Sequence, residues 1–333
     1  MSSGSHGVAI AGTGYAGMQH LQAVVAHPQA KLTGLWGRDF AKTRSLAQKY
    51  VAEAAGSFEA LLEIPDTDIV IIATPNDQHA EQVIAALEAN KHVLCEKPFV
   101  TTADDCARVL EAARPSGRKV LVGHVCRFSP YFRIAKDYYA SGKLGEAILA
   151  EGTYLHRVPI PPKKPWWKDT SPGSMAVLGG GCHPIDLLRW VMGEIREVIA
   201  ARSRSAICGQ FGFADWAIAD FVFENGCMGR LVVSLSAVRP YSIDITIHGT
   251  RGTLINNRLF LNGQGDETDF VTIPVTYKKE HSYFAEELDD LIQAIETDRQ
   301  PLVTAEDGAK TVLTCLAIIE AIAGNTSVPV RTL

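Results

Sequence analysis

The sequence contains no CxxC pair, no run or tail of basic residues, and no uninterrupted apolar stretch of about 18 residues. The seven cysteines are odd in number and widely spaced, which argues against a disulfide framework or a structural zinc site. No metal centre is expected. Acidic residues exceed basic ones by 37 to 32, a net charge of −5, so nucleic acid is not an expected partner. A membrane span is not expected either. The opening MSSGSHG lacks the basic and apolar regions of an export signal, and the expected location is the cytoplasm.

What is present is a well-mixed chain of 333 residues, 47% hydrophobic, enough for about two domains. Between residues 7 and 125 short apolar runs alternate with helical periodicity. Val8–Ala11, Leu32–Trp36, Ile69–Ala73, His92–Cys95 and Val120–Gly123 read as strands. Helices are expected to about Ala26, over Phe40–Val51, His79–Ala89 and Asp104–Ala113. That alternation predicts a parallel sheet covered by helices on both faces. The second half changes texture. Short strand-like runs recur from about 195 to 275, punctuated by Gly226, Gly249 and Gly252, and predict a mostly antiparallel sheet. Helices are expected over 128–140, 184–192, 280–296 and 305–323. The domain boundary is expected near residue 124, with 125–333 forming the second domain and the last helix able to pack back on the first.

Gly12-Thr13-Gly14-Tyr15-Ala16-Gly17 follows the first strand and opens a helix. In a GxGxxG turn the first glycine permits the bend, the second admits a pyrophosphate, and the third lets helix and strand approach. The second strand ends in Trp36-Gly37-Arg38-Asp39, where a carboxylate normally meets the adenosine ribose. Gly37 removes that charge and Arg38 adds a guanidinium suited to a 2′-phosphate, so NADP(H) is expected over NAD(H). Asp39 is the alternative ribose ligand, and would favour NAD(H).

AGTGYAG at 11–17, ATPNDQH at 73–79, CEKP at 95–98 and GGGCHPIDLLRW at 179–190 together resemble the glucose–fructose oxidoreductase, inositol dehydrogenase and rhizopine-catabolism (Gfo/Idh/MocA) family over nearly the whole chain. The resemblance implies an α/β protein: an N-terminal Rossmann domain, then a C-terminal α/β domain on an open, mostly antiparallel sheet. It implies hydride transfer between a nicotinamide and a secondary alcohol or ketone carbon of a sugar, cyclitol or polyol, by a homodimer or homotetramer.

By the same resemblance Lys97 stands beside the reacting oxygen, where an ammonium stabilises a developing alkoxide. His183 serves as general acid/base or substrate ligand, a task suited to imidazole near neutral pH. Thr74, Pro75, Asn76, His79 and Glu96 join the glycine loop on the cofactor side. Many relatives carry an Asp four residues before the histidine; here Gly179 occupies that place. Either His183 acts with Lys97 alone, or Asp169, Asp186 or Tyr154 fills the gap, or the redox step is differently used. Arg157 and Trp167, in a loop rich in Pro, Lys and Trp, are expected to border the substrate. An NAD-retaining glycoside hydrolase and a non-catalytic dinucleotide-binding regulator remain alternatives.

Overall fold

The computed structural model describes residues 5–157, 175–207, 214–263, 269–276 and 283–333. The chain divides into two compact units, Met1–Val125 with His281–Ala309, and Cys126–Glu280 with Lys310–Leu333.

In the first unit, β1 (His6–Ala11), β2 (Ala30–Trp36), β3 (Glu53–Ala54), β4 (Ile69–Ile72), β5 (His92–Glu96) and β6 (Val120–Gly123) form one parallel sheet in the order β3-β2-β1-β4-β5-β6. The order runs outward from β1 in both directions, the doubly wound arrangement that opens a crevice at the strands' carboxyl ends. Ile69–Ile72 of β4 are 0% exposed, as an all-β-branched central strand covered on both faces should be. Helices α1 (Tyr15–Ala26), α2 (Phe40–Tyr50), α3 (Phe58–Leu62), α4 (His79–Glu88) and α5 (Ala103–Ser116) link the strands. Asp39, Ser57 and Thr102 cap α2, α3 and α5 with side-chain oxygens. A later segment completes this unit. Within it, α8 (Phe284–Glu296) packs on α1, and the backbone at Val303 accepts the Val122 amide of β6.

The second unit holds α6 (Pro130–Ala140), β7 (Ala147–Leu155), α7 (Cys182–Met192), β8 (Ile195–Arg204), β9 (Trp216–Phe223), β10 (Met228–Ser234), β11 (Ser242–Gly249), β12 (Gly252–Ile255), β13 (Arg258–Leu261), β14 (Val271–Thr272) and β15 (Val328–Pro329). Among the described residues these strands make a nine-stranded sheet, β14-β13-β12-β11-β7-β10-β9-β8-β15. Every pairing is antiparallel except β7 with β10. Burial alternates along β9 and β11, so one face is covered and the other open. Helix α7 lies on the covered face, admitted by Gly152, whose added Cβ would stand 2.8 Å from Pro184 and 3.0 Å from Leu188. The remaining helix, α9 (Ala305–Gly324), contains the division between the units. No helix among the described residues is long and apolar enough to cross a membrane.

Candidate active site

The glycine loop has the geometry a dinucleotide needs. Gly12 sits at φ +108°, and a Cβ there would lie 2.2 Å from the Ala73 carbonyl. A Cβ at Gly17 would meet the Gly12 carbonyl at 1.9 Å, so helix and turn touch only because both are glycine. Around Gly14, by contrast, no described residue lies within 4 Å of an added Cβ, and no described side chain caps α1. The first-turn amides of Tyr15 and Ala16 therefore keep their capacity for an anionic ligand at the helix's positive end. A pyrophosphate fits this cradle. The Lys42 ammonium also binds the loop, donating to the Thr13 carbonyl at 2.6 Å.

Gly37 is buried between the Thr13 and Thr43 hydroxyls, which an added Cβ would approach to 2.9 and 3.1 Å. Arg38 is exposed. Asp39 is exposed too, with one carboxyl oxygen accepting the Lys42 amide at 3.0 Å. Strand β2 ends at Trp36, so this carboxylate stands just beyond the strand end.

At the ends of β4 and β5 a second set of groups gathers. The Thr74 hydroxyl donates to Gln82 at 2.6 Å, while Pro75 and Asn76 enter a short 3₁₀ turn and stay half-buried. His79 is 0% exposed, with Nδ1 3.0 Å from the Pro98 carbonyl and Nε2 3.1 Å from that of Thr74. It clamps one loop to the other rather than presenting a group to a ligand. Burial draws its pKa below the ordinary value, against the two carbonyls, which raise it. The Lys97–Pro98 bond is cis. Lys97 is half-buried, and its amide donates to Glu96 Oε2 at 3.3 Å. Glu96 Oε1 lies 2.9 Å from His20 Nε2. Burial raises the Glu96 pKa, but His20, Lys97 and His79 together hold it below the usual range.

In the second unit His183 stands in the first turn of α7 and is 1% exposed. Its ring stacks on Tyr154 at 5.9 Å between centroids, 7° from parallel, and its Nδ1 is 3.7 Å from Cys126 Sγ. Tyr154 presses on Gly180, where a Cβ would come within 2.7 Å of the ring, and its hydroxyl is 3.4 Å from His156 Nδ1. Burial drives the Tyr154 pKa upward, so its hydroxyl acts as a neutral donor. A Cβ at Gly179 meets nothing within 4 Å. Among the described residues, no neighbour within that distance stands in the way of a side chain there.

Asp186 is held by partners beyond α7. It is 0% exposed and takes a two-pronged bond from Arg127, at 2.9 and 2.8 Å, with the Thr311 hydroxyl at 3.3 Å. The cause is general to α7: a helix buried nearly all round must pair each polar side chain, and Arg189 likewise holds Glu194 and Thr311. Arg157 is exposed and pairs by its backbone with Ser236. Trp167 and Asp169 lie outside the described residues. His20 and His156 escaped the sequence reading, because Glu96 and Tyr241, which they meet, stand far away along the chain. Among the described residues no three metal-binding side chains converge.

The description "Oxidoreductase family, NAD-binding Rossmann fold" matches residues 6–124, and "GFO/IDH/MocA C-terminal domain" matches 132–255. "Uncharacterized oxidoreductase YrbE" of Bacillus subtilis is 30% identical over 312 residues, 90% of this chain and 89% of that one. "1,5-Anhydro-D-fructose reductase" of Ensifer adhaerens is 29% identical over 294 residues, 85% of each. A levoglucosan dehydrogenase structure in complex with NADH superposes at TM-score 0.89, with 24% identity and coverage of 99% of this chain and 100% of that one. That protein also holds NADH in its complexes with L-sorbose and with levoglucosan. The expected preference for NADP(H) is thereby corrected. The expectation ranked Gly37 and Arg38 above Asp39, the alternative carboxylate that follows them. With a 30% identical relative matched over nine-tenths of its length, the chain belongs to the GFO/IDH/MocA oxidoreductase family.

Proposed function

We propose that the protein is an NAD(H)-dependent dehydrogenase for secondary alcohol or ketone carbons of sugars, anhydrosugars or cyclitols. The observation that carries this reading is the pairing, within one unit, of an open and uncapped glycine loop with Lys97 at the end of β5. Bound NAD(H) supplies or accepts the hydride. The loop amides hold its pyrophosphate, Asp39 its adenosine ribose, and Thr74, Pro75 and Asn76 the nicotinamide side. Lys97 carries the developing alkoxide charge, and His183 exchanges the carbinol proton. Tyr154 fixes the imidazole plane by stacking. Arg157, Trp167 and Asp169 are assigned to the substrate by resemblance alone. The names of the anhydrofructose reductase and levoglucosan dehydrogenase support a cyclic polyhydroxylated substrate. The hydrolase and regulator alternatives gain nothing from these relatives.

We further propose a homo-oligomer joined through the open face of the nine-stranded sheet, where Ile218 is 47% and Met228 50% exposed. A reducing, cytoplasmic setting suits the six described cysteines, all buried and none in a disulfide.

The test is a titration of cofactor-free protein with NADH and NADPH, followed by turnover with NAD⁺ across sugars, anhydrosugars and cyclitols. NADH should bind at least tenfold tighter, about 1.4 kcal/mol. Lys97→Ala should cost about 10²–10⁴-fold in kcat on any active substrate while NADH still binds. Binding of neither coenzyme, or an active Lys97→Ala, overturns the reading.

A further inference from the structure

The sheet of the first unit has two rims. The glycine loop and Lys97 stand at the carboxyl ends of its strands. At the amino ends of β1, β4 and β5 lies a cavity of about 310 Å³, lined by His6, Asp68, Lys91, His92 and Arg118, with Ile295 of α8, among others. That volume falls at the small end of the range for small-molecule sites, about 300–1,000 Å³. None of the residues assigned above to cofactor or substrate lines it.

His92 is 8% exposed, and its Nδ1 accepts the Lys119 amide at 2.9 Å. A neutral ring with its lone pair at Nδ1 carries its hydrogen on Nε2. Burial, then the Arg118 charge, keeps the ring neutral near neutral pH by drawing its pKa down to about 4. Nε2 stands 3.3 Å from Arg118 Nη1, and a guanidinium nitrogen only donates. Two N–H groups thus face each other, and no hydrogen bond joins them. Arg118 Nε is buried with no partner, and among the described residues no carboxylate forms an ion pair with this guanidinium. Donors left without an acceptor cost free energy, and one anionic oxygen set against both removes that cost.

Lys91 adds a second positive charge. Its ammonium gives one hydrogen to the Thr67 carbonyl at 2.8 Å, which leaves two for a ligand. His92, Arg118 and Lys91 are three donor groups, matching the three terminal oxygens of a phosphoryl group, where a carboxylate has two. Asp68 brings the opposite chemistry. It is exposed, one of its oxygens takes the Gly7 amide at 2.9 Å, and a carboxylate accepts hydroxyl hydrogens. We propose that this cavity binds a phosphate monoester of a small polyol, its phosphoryl group on His92, Arg118 and Lys91 and a hydroxyl on Asp68. The site is separate from the one assigned to the cofactor, and it stands whether or not the dehydrogenase reading does.

The test titrates glycerol 1-phosphate into full-length protein saturated with NADH, so that the glycine loop is occupied, at constant ionic strength. The ester should bind, and inorganic phosphate should bind more weakly. Arg118→Gln should weaken the ester by about tenfold or more while NADH affinity stays the same. Nitrogen-15 spectra of the histidine rings, with His92 assigned by its loss in His92→Asn, should show the Nε2–H tautomer and a shift of that nitrogen when the ester is added. Absence of binding, an Nδ1–H tautomer, an unmoved resonance, or an Arg118→Gln variant that binds as the wild type does overturns the proposal. So does inorganic phosphate bound as tightly as the ester, or ester binding that only NADH-free protein shows, which belongs to the glycine loop. If Arg118→Gln does not fold, Lys91→Gln should weaken the ester by about threefold or more, and an unchanged affinity there is equally decisive. If NADH itself does not bind, the dehydrogenase reading fails, and the Arg118 variant still judges this cavity.

Discussion

Gly179 shows how much a single residue can withhold. The sequence makes it a gap where many relatives carry an aspartate, and among the described residues an added Cβ there meets nothing within 4 Å. Gly179→Asp should therefore fold, and should raise kcat on an active substrate by placing a carboxylate four residues before His183. Steady-state kinetics beside a melting curve checks both halves. Asp186 teaches the reverse. Its helical spacing suggested an orienting role for His183, and the structure pairs it with Arg127, 59 residues earlier, a pair that no periodicity reveals. His92 makes a prediction in pH. Burial first, then Arg118, lowers its pKa from 6.5 to about 4. The unfolded chain thus binds a proton that the folded chain refuses, and stability falls as pH drops from about 6.5 towards about 4. His92→Asn, whose oxygen can still accept the Lys119 amide taken by Nδ1, should flatten that loss in denaturation midpoints measured across the range.

Elements were legible wherever one period ruled a whole segment. The continuous apolar run of β4 and the alternation along β9 and β11 give nearly the observed spans, because each pattern repeats what its sheet buries. Strand β7 was missed. Its glycine and small residues blur the alternation, and its parallel pairing with β10 is a long-range choice that neither strand encodes alone. The glycine has its own reason in the approach of α7. Gly152→Val should destabilise by about 1–3 kcal/mol, since overpacking forces helix and strand apart. Chemical denaturation would show it, and a variant as stable as the wild type would mean that α7 yields at no cost.

For the whole molecule, the sheet of the second unit leaves one face open, with Ile218, Val222 and Met228 at half-exposed or exposed positions. Ile218→Glu should reduce the particle mass measured by light scattering if that face joins copies of the chain, without changing the fold of the unit that carries it. An unchanged mass would place the contact elsewhere. At this scale the sequence showed two textures, parallel then antiparallel, and the sheets follow them. It did not show that residues 281–309 belong with the first sheet, because an amphipathic stripe states that a helix is covered and not by what. That return has a consequence during synthesis. The Val303 carbonyl that takes the Val122 amide, and the Phe284 ring that meets His20, leave the ribosome only after strands β7 to β14 of the second sheet have emerged. The nascent nucleotide-binding unit must wait, with one flank uncovered, while its successor folds. Chaperone dependence should thus concentrate on the first-made part of the chain, against the usual rule that N-terminal domains finish first.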